Sequence, residues 1–146
     1  MRDSEKVEIC LLNEDSVIPR VFSESASGYD ICAYLPGGSV SIAQEPCRIP
    51  TGIALAVPSG IDAQIRPRSG LSAKGVLVAL GTLDSDYRGE LFVTMYTVAP
   101  NIEHVVNHGD RIAQFVFSQI VSINFEVTEN LTSTIRGRGG HGSTGK

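Results

Sequence analysis

The sequence predicts an all-β domain, a sandwich, jelly roll or small barrel assembled from many short strands. Three features predict it. Apolar, β-favouring runs recur along the chain, glycine and proline punctuate the gaps, and no stretch outside "GLSAK" (70–74) carries helical spacing.

The runs follow in order. In "VEICLL" (7–12), Val7, Ile9 and Leu11 alternate with other residues. "SGYDICA" (27–33) is an apolar strand interrupted by Asp30. "GIALAVP" (52–58), "IDAQIRP" (61–67) and "GVLVALG" (75–81) are further strands. "GTLDSDYRGEL" (81–91) reads as a polar hairpin between apolar strands. "ELFVTMYTV" (90–98) and "RIAQFVFSQIV" (111–121) complete the set. Between them stand Pro36-Gly37-Gly38, Pro50-Thr51-Gly52, Pro58-Ser59-Gly60, Pro67, Gly89, Pro100 and Gly109, all turn formers.

The 146 residues suit one domain with a real core, and 42% hydrophobic content is ordinary for a globular protein. A net charge of −4 and a pI near 5.3 argue against a general nucleic-acid binder. No apolar run is long enough to span a membrane, and the N-terminus lacks the apolar core of a secretory signal. Cys10, Cys32 and Cys47 are odd in number and have no C-x-x-C spacing, so reduced packing cysteines in the cytoplasm are expected, not a zinc site. Composition shifts only from about Asn130, which divides a β body (1–135) from a glycine-rich tail (136–146).

That tail, "RGRGGHGSTGK", satisfies G-x-G-x-x-G at Gly137, Gly139 and Gly142. The dinucleotide fingerprint must open a helix, and four residues after Gly142 leave no room for one. Arg136, Arg138 and Lys146 instead make the tail basic, and the hydroxyls of Ser143 and Thr144 and the glycine amides suit an anion. The tail reads either as a frayed terminus or as a strap that closes over phosphate.

Four stretches of the body carry chemistry. Asp30 on its apolar strand is costly unless it caps a turn, pairs with an arginine or lies near another cation. Gly28 permits a tight entry to that strand. "RPRSGLSAKG" (66–75) offers a guanidinium fork, a hydroxyl and an open amide at Arg68, Ser69 and Gly70, a phosphate cradle. Arg66 and Arg68 share a face if the strand is regular. In "GTLDSDYRGEL", one carboxylate could activate a water, and Tyr87 offers a flat face with a polar tip. In "GDRIAQFVF" (109–117), Asp110 and Arg111 lie in a turn, and Gln114, opposite Phe115 and Phe117, wants either a ligand or a backbone partner.

The ordered set "SGYDICA", "PRSGLS", "GTLDSDYRGE", "GDRIAQ" and "RGRGGHGSTG", with "IPTGIALAVPSG" before the second motif, resembles the trimeric-type deoxyuridine triphosphatase (dUTPase) family over nearly the whole chain. The resemblance implies a jelly-roll-like distorted barrel or sandwich, a homotrimer with shared active sites, and hydrolysis of dUTP to dUMP and pyrophosphate. This reaction keeps uracil out of DNA and supplies dUMP for thymidylate synthesis. It implies that Asp84 orients the attacking water and that Arg68, Ser69, Gly70 and Gln114 hold the triphosphate. Uracil is implied in the hairpin from Val78 through Gly81, Thr82 and Leu83, with Tyr87 against deoxyribose. From the tail, Arg136 pairs with the γ-phosphate, His141 covers uracil, and Gly142, Ser143 and Thr144 add contacts. Mg2+ bridges the phosphates and meets Asp30 through water. The expected compartment is the cytoplasm, or the nucleus for a eukaryotic or viral source. Two positions depart from the family's commonest pattern: His141 stands where Phe is usual, and Val78 where many bacterial members have Asn. The rival readings are a dCTP deaminase-type enzyme on the same fold and a non-catalytic regulatory nucleotide-binding jelly roll; "DSDYRG" and the glycine-rich tail favour the hydrolase.

Overall fold

The computed structural model describes residues 5–140. Its strands are β1 (Glu8–Leu11), β2 (Gly28–Cys32), β3 (Ser39–Ile42), β4 (Cys47–Pro50), β5 (Ile53–Ala56), β6 (Ile61–Arg66), β7 (Val76–Val78), β8 (Gly81–Leu83), β9 (Phe92–Thr97), β10 (His104–Asn107) and β11 (Arg111–Gln119). One helical turn, α1 (Ser69–Ser72), follows β6. Four antiparallel sheets result: β2-β11-β6-β8, β4-β9-β7, β1-β5 and β10-β3. This is the expected all-β, jelly-roll-like architecture.

Alternation places the core. Along β9, Val93, Met95 and Thr97 turn inward while Phe92, Thr94 and Tyr96 are less buried. Ile49 joins them from β4 of the same sheet, and Ile31, Ile53, Ile112 and Phe115 come in from the other sheets, all almost wholly buried. Each such side chain contributes about 1.5–3 kcal/mol of transfer free energy. Buried Thr51 and Thr97 satisfy their hydroxyls by donating to the carbonyls of Leu91 and Ala99.

The structure corrects the strand reading at several points. The run 75–81 is two elements, because β7 pairs with β9 whereas β8 pairs with β6. Ala79 N still donates to Thr94 O, after which the chain crosses between sheets at Leu80, 75% exposed. The polar segment after β8 likewise joins different sheets and is not a ladder-paired hairpin. β6 ends at Arg66, so Arg66 and Arg68 do not share a strand face; Pro67 intervenes and Arg68 caps α1. The strands β3, β4 and β10 lie where the sequence signals only turns, since each has four residues and pairs with a partner distant in sequence.

Beyond β11 the chain leaves its own body. Ile120 N donates to Gly60 O, and residues 121–138 are exposed throughout. Yet Val121, Ile123, Phe125 and Val127 continue a period-two pattern, with Phe125 96% exposed. No helix among the described residues is long and apolar enough to cross a membrane.

Candidate active site

The first concentration of chemistry surrounds Asp30. Its side chain is only 14% exposed, and each carboxylate oxygen faces an arginine. Arg68 Nε lies 3.4 Å from Oδ1, and Arg111 Nη1 donates to Oδ2 at 3.1 Å. Arg68 Nη1 also donates to the carbonyl of Arg111 at 2.8 Å, so the fork is held at two points while donors remain for an anion. The fit requires strand pairing: Arg111 opens β11 beside Cys32, and Asp30 lies opposite Gln114. The backbone N–H of Asp30 donates to Arg20 O at 2.9 Å, tying the preceding loop to the strand. Arg20, Arg68 and Arg111 outnumber the carboxylate, giving a positive spot on an acidic chain. Beside them, burial pushes the Cys32 thiol above its usual range, Asp30 adds to that shift, and the arginines oppose it.

Gln114 serves the same corner. Its Nε2 donates to Pro67 O at 2.9 Å, anchoring the chain just before Arg68. The amide thus finds a backbone partner, from the central strand β11 and not from a sheet edge. Gly28 makes room for it: a Cβ there would collide with the end of the Gln114 side chain. Close approach, more than turn geometry, is what this glycine supplies. Ser69 and Gly70 are exposed beside the cluster.

The second concentration is the turn after β8. Asp84 and Asp86 are exposed, and Tyr87 N donates to Asp84 O. Arg88 Nη1 donates to the carbonyls of Ser85 and Tyr87, cross-bracing the turn from within. Tyr87 spends its hydroxyl on Glu90 O, at 2.9 Å, and its ring lies where a Cβ on Gly89 would have to be. The 45%-exposed ring is left as a flat surface. Val78 and Leu83 are buried in the core, so any contact they offer a base comes from backbone. Thr82 is exposed and hydrogen-bonded to Gln64, with Gly81 ahead of it on β8.

The chain does not bring these two concentrations together by itself. Gly81 pairs with Ile65 and Leu83 with Ala63, so β8 runs away from Arg66. Ala63 and Arg66 are about 10 Å apart along the strand, with Asp84 beyond one end and Arg68 beyond the other. Arg136 is remote as well: Nε donates to Gly139 O within its own exposed tail. His141, Gly142, Ser143 and Thr144 lie outside the described residues. Sequence reasoning did not single out Arg20 or Phe22, and it named Arg111 only as a turn residue; the one signal for the cluster was that a carboxylate on an apolar strand is costly without a turn to cap or a cation beside it.

A jelly-roll-like sandwich with an arginine cluster suited to phosphate, and a separate carboxylate-bearing turn, defines a nucleotide-binding protein of the all-β class. The dUTPase family model matches residues 14–145, and the chain belongs to that family. It is 40% identical to the deoxyuridine 5'-triphosphate nucleotidohydrolase of Neorickettsia sennetsu, over 99% of both chains. It is 39% identical to that of Fusobacterium nucleatum, over 97% of this chain and 99% of the other. A mutant dUTPase of Staphylococcus bacteriophage 80alpha, bound to dUpNHpp, shares the fold at a TM-score of 0.81, with 23% identity over 98% of this chain and all of its own. A mutant dUTPase from phage phi11 of S. aureus, described with a structural Mg(II) ion, has a TM-score of 0.76, 23% identity and coverage of 86% and 98%.

The chain's own donors fit such an ion only in a particular way. Among the described residues no three His, Cys, Asp or Glu side chains are grouped to hold a metal. Asp30 is the carboxylate beside Arg68 and Arg111, and both its oxygens already face guanidinium groups. That set suits magnesium carried by a triphosphate and its waters, not a protein cage.

Proposed function

We propose that this protein hydrolyses dUTP to dUMP and pyrophosphate by in-line attack of water on the α-phosphorus. The observation that carries the reading is near-full-length identity of about 40% to dUTP nucleotidohydrolases, with the catalytic motif "DSDYRG" intact. Asp84 holds the water and accepts its proton, a task that suits an exposed carboxylate on a braced turn. Arg68, Ser69, Gly70 and Gln114 bind the triphosphate, with Asp30 and Pro67 O presenting Arg68 and Gln114. Gly81, Thr82 and Leu83, with the backbone at Val78, receive uracil, and the Tyr87 ring lies against deoxyribose and excludes a 2′-hydroxyl. When bound, magnesium would neutralise phosphate charge, and Asp30 would meet the ion through water.

The same reading makes the protein a homotrimer with shared sites. The separation of Asp84 from Arg68 supports it, since one chain alone does not complete the constellation. So does a groove of about 760 Å3 lined by Val7, Ile9, Tyr29, Leu55, Phe115 and Phe117, which matches the alternating apolar residues of the exposed arm 121–127 from another copy. The tail, residues 136–146, then reaches a neighbouring site as a lid: Arg136 on the γ-phosphate, His141 over uracil, and Gly142, Ser143 and Thr144 on the phosphates. Three free cysteines fit a reducing cytoplasm.

The test is pyrophosphate release from dUTP, dTTP, dCTP and UTP, with and without magnesium, alongside ammonia release from dCTP. Magnesium-dependent release from dUTP alone is expected. Ammonia from dCTP, or no turnover of any nucleotide, defeats the reading.

A further inference from the structure

The arginines around Asp30 are exposed enough to wander. Arg111 is 42% exposed, and an ion pair at such a site does little by itself to fix a long side chain. A third contact bears on it. The Arg111 guanidinium carbon lies 4.4 Å from the centre of the Phe22 ring, and that of Arg20 lies 5.1 Å from the same centre. Phe22 is 56% exposed, on the loop before β2. Its ring is outside the hydrophobic core cluster, so packing of that core does not explain its place. A guanidinium over an aromatic face is attracted by the ring quadrupole and held flat.

The contacts form a chain. Phe22 lies under the Arg111 guanidinium; Arg111 Nη1 donates to Asp30 Oδ2; Asp30 Oδ1 and the Arg111 carbonyl hold Arg68. Arg20 enters twice, through its carbonyl to Asp30 N and its guanidinium over the ring. We propose that Phe22 is a positioning residue, an aromatic platform that orders Arg111 and through it aims Arg68 at the triphosphate. This rests on the dUTP-hydrolysing reading, in which Arg68 binds phosphate. Phe22 itself touches neither nucleotide nor the reacting atoms.

The experiment compares wild type with Phe22→Ala, Phe22→Leu and Phe22→Tyr in the full-length protein with magnesium. Calorimetry measures affinity for two probes, the imido analogue dUpNHpp and dUMP, and steady-state kinetics measures kcat and KM. An exposed cation–π contact predicts a loss of about two- to fivefold in affinity for dUpNHpp in the Ala and Leu variants. Affinity for dUMP is expected to be unchanged, and Tyr to match wild type. Leu retains apolar bulk but no ring face, so a Leu variant equal to wild type overturns the platform. Equal losses for both probes mean a merely structural role, and a Tyr variant as weak as Ala has the same meaning. Wild-type protein that neither binds dUpNHpp nor turns over dUTP overturns the underlying functional reading instead.

Discussion

At Asp30 a largely buried carboxylate is paired with two arginines, one on each oxygen, and the pairing matters more for where the guanidinium groups point than for stability. The neighbouring pair Gly28 and Gln114 works in the same way, by space. Gly28→Ala forces the Gln114 amide aside and breaks its bond to Pro67 O, at a cost of about 0.5–1.5 kcal/mol. The expected result is a slightly lower Tm with a disproportionate fall in kcat/KM for dUTP; unchanged values of both would show that Gln114 has another comfortable position. Asp84→Asn keeps the shape of its turn, since the braces at Arg88 and Tyr87 use backbone carbonyls. It is expected to lower kcat about a hundred- to ten-thousandfold while retaining nucleotide affinity. More than about a tenth of wild-type kcat would move the role to Asp86.

The arm after β11 and the tail beyond it divide the work at the scale of elements. Residues 121–127 present alternating apolar side chains to solvent, and residues 121–135 contribute nothing to the core of their own chain. Deleting residues 120–146 is therefore expected to leave a folded body that sediments as a monomer and does not turn over dUTP. Deleting only residues 136–146 is expected to leave the trimer intact and lower kcat severely, because charge-assisted contacts from Arg136 to phosphate are lost. Analytical ultracentrifugation separates the two deletions. A trimer that survives loss of the arm would remove it from the interface.

At the scale of the whole molecule, Asp84 and Arg68 lie beyond opposite ends of the β6–β8 pairing. The proposed sharing of sites between chains can be tested by mixing. Asp84→Asn chains and chains lacking residues 136–146 are each expected to be nearly inactive alone. Co-refolded, they are expected to recover part of the wild-type rate, because some sites then receive an intact Asp84 from one chain and an intact tail from another. Recovery no greater than the sum of the separate residual rates would mean that each chain completes its own site.

The sequence alone determined the all-β class and most of the strands, and it singled out candidate residues for chemistry, because period-two alternation, Gly and Pro turns, and lone polar groups in apolar runs are all local signals. It left Asp30 either capping a turn, pairing with an arginine or lying near another cation; only the pairing of β2 with β11, and the return of the chain after β6, brought Arg111 and Arg68 to it. The strands β3, β4 and β10 were not legible, since four-residue segments owe their conformation to partners distant in the chain. The split of residues 75–81 between two sheets was hidden for the same reason: Val78 and Gly81 belong to one apolar run, but the ladders they join are set by β9 and β6. Phe22 gave no local sign at all, because an exposed aromatic in a loop acquires a purpose only when tertiary packing lays guanidinium groups over its ring.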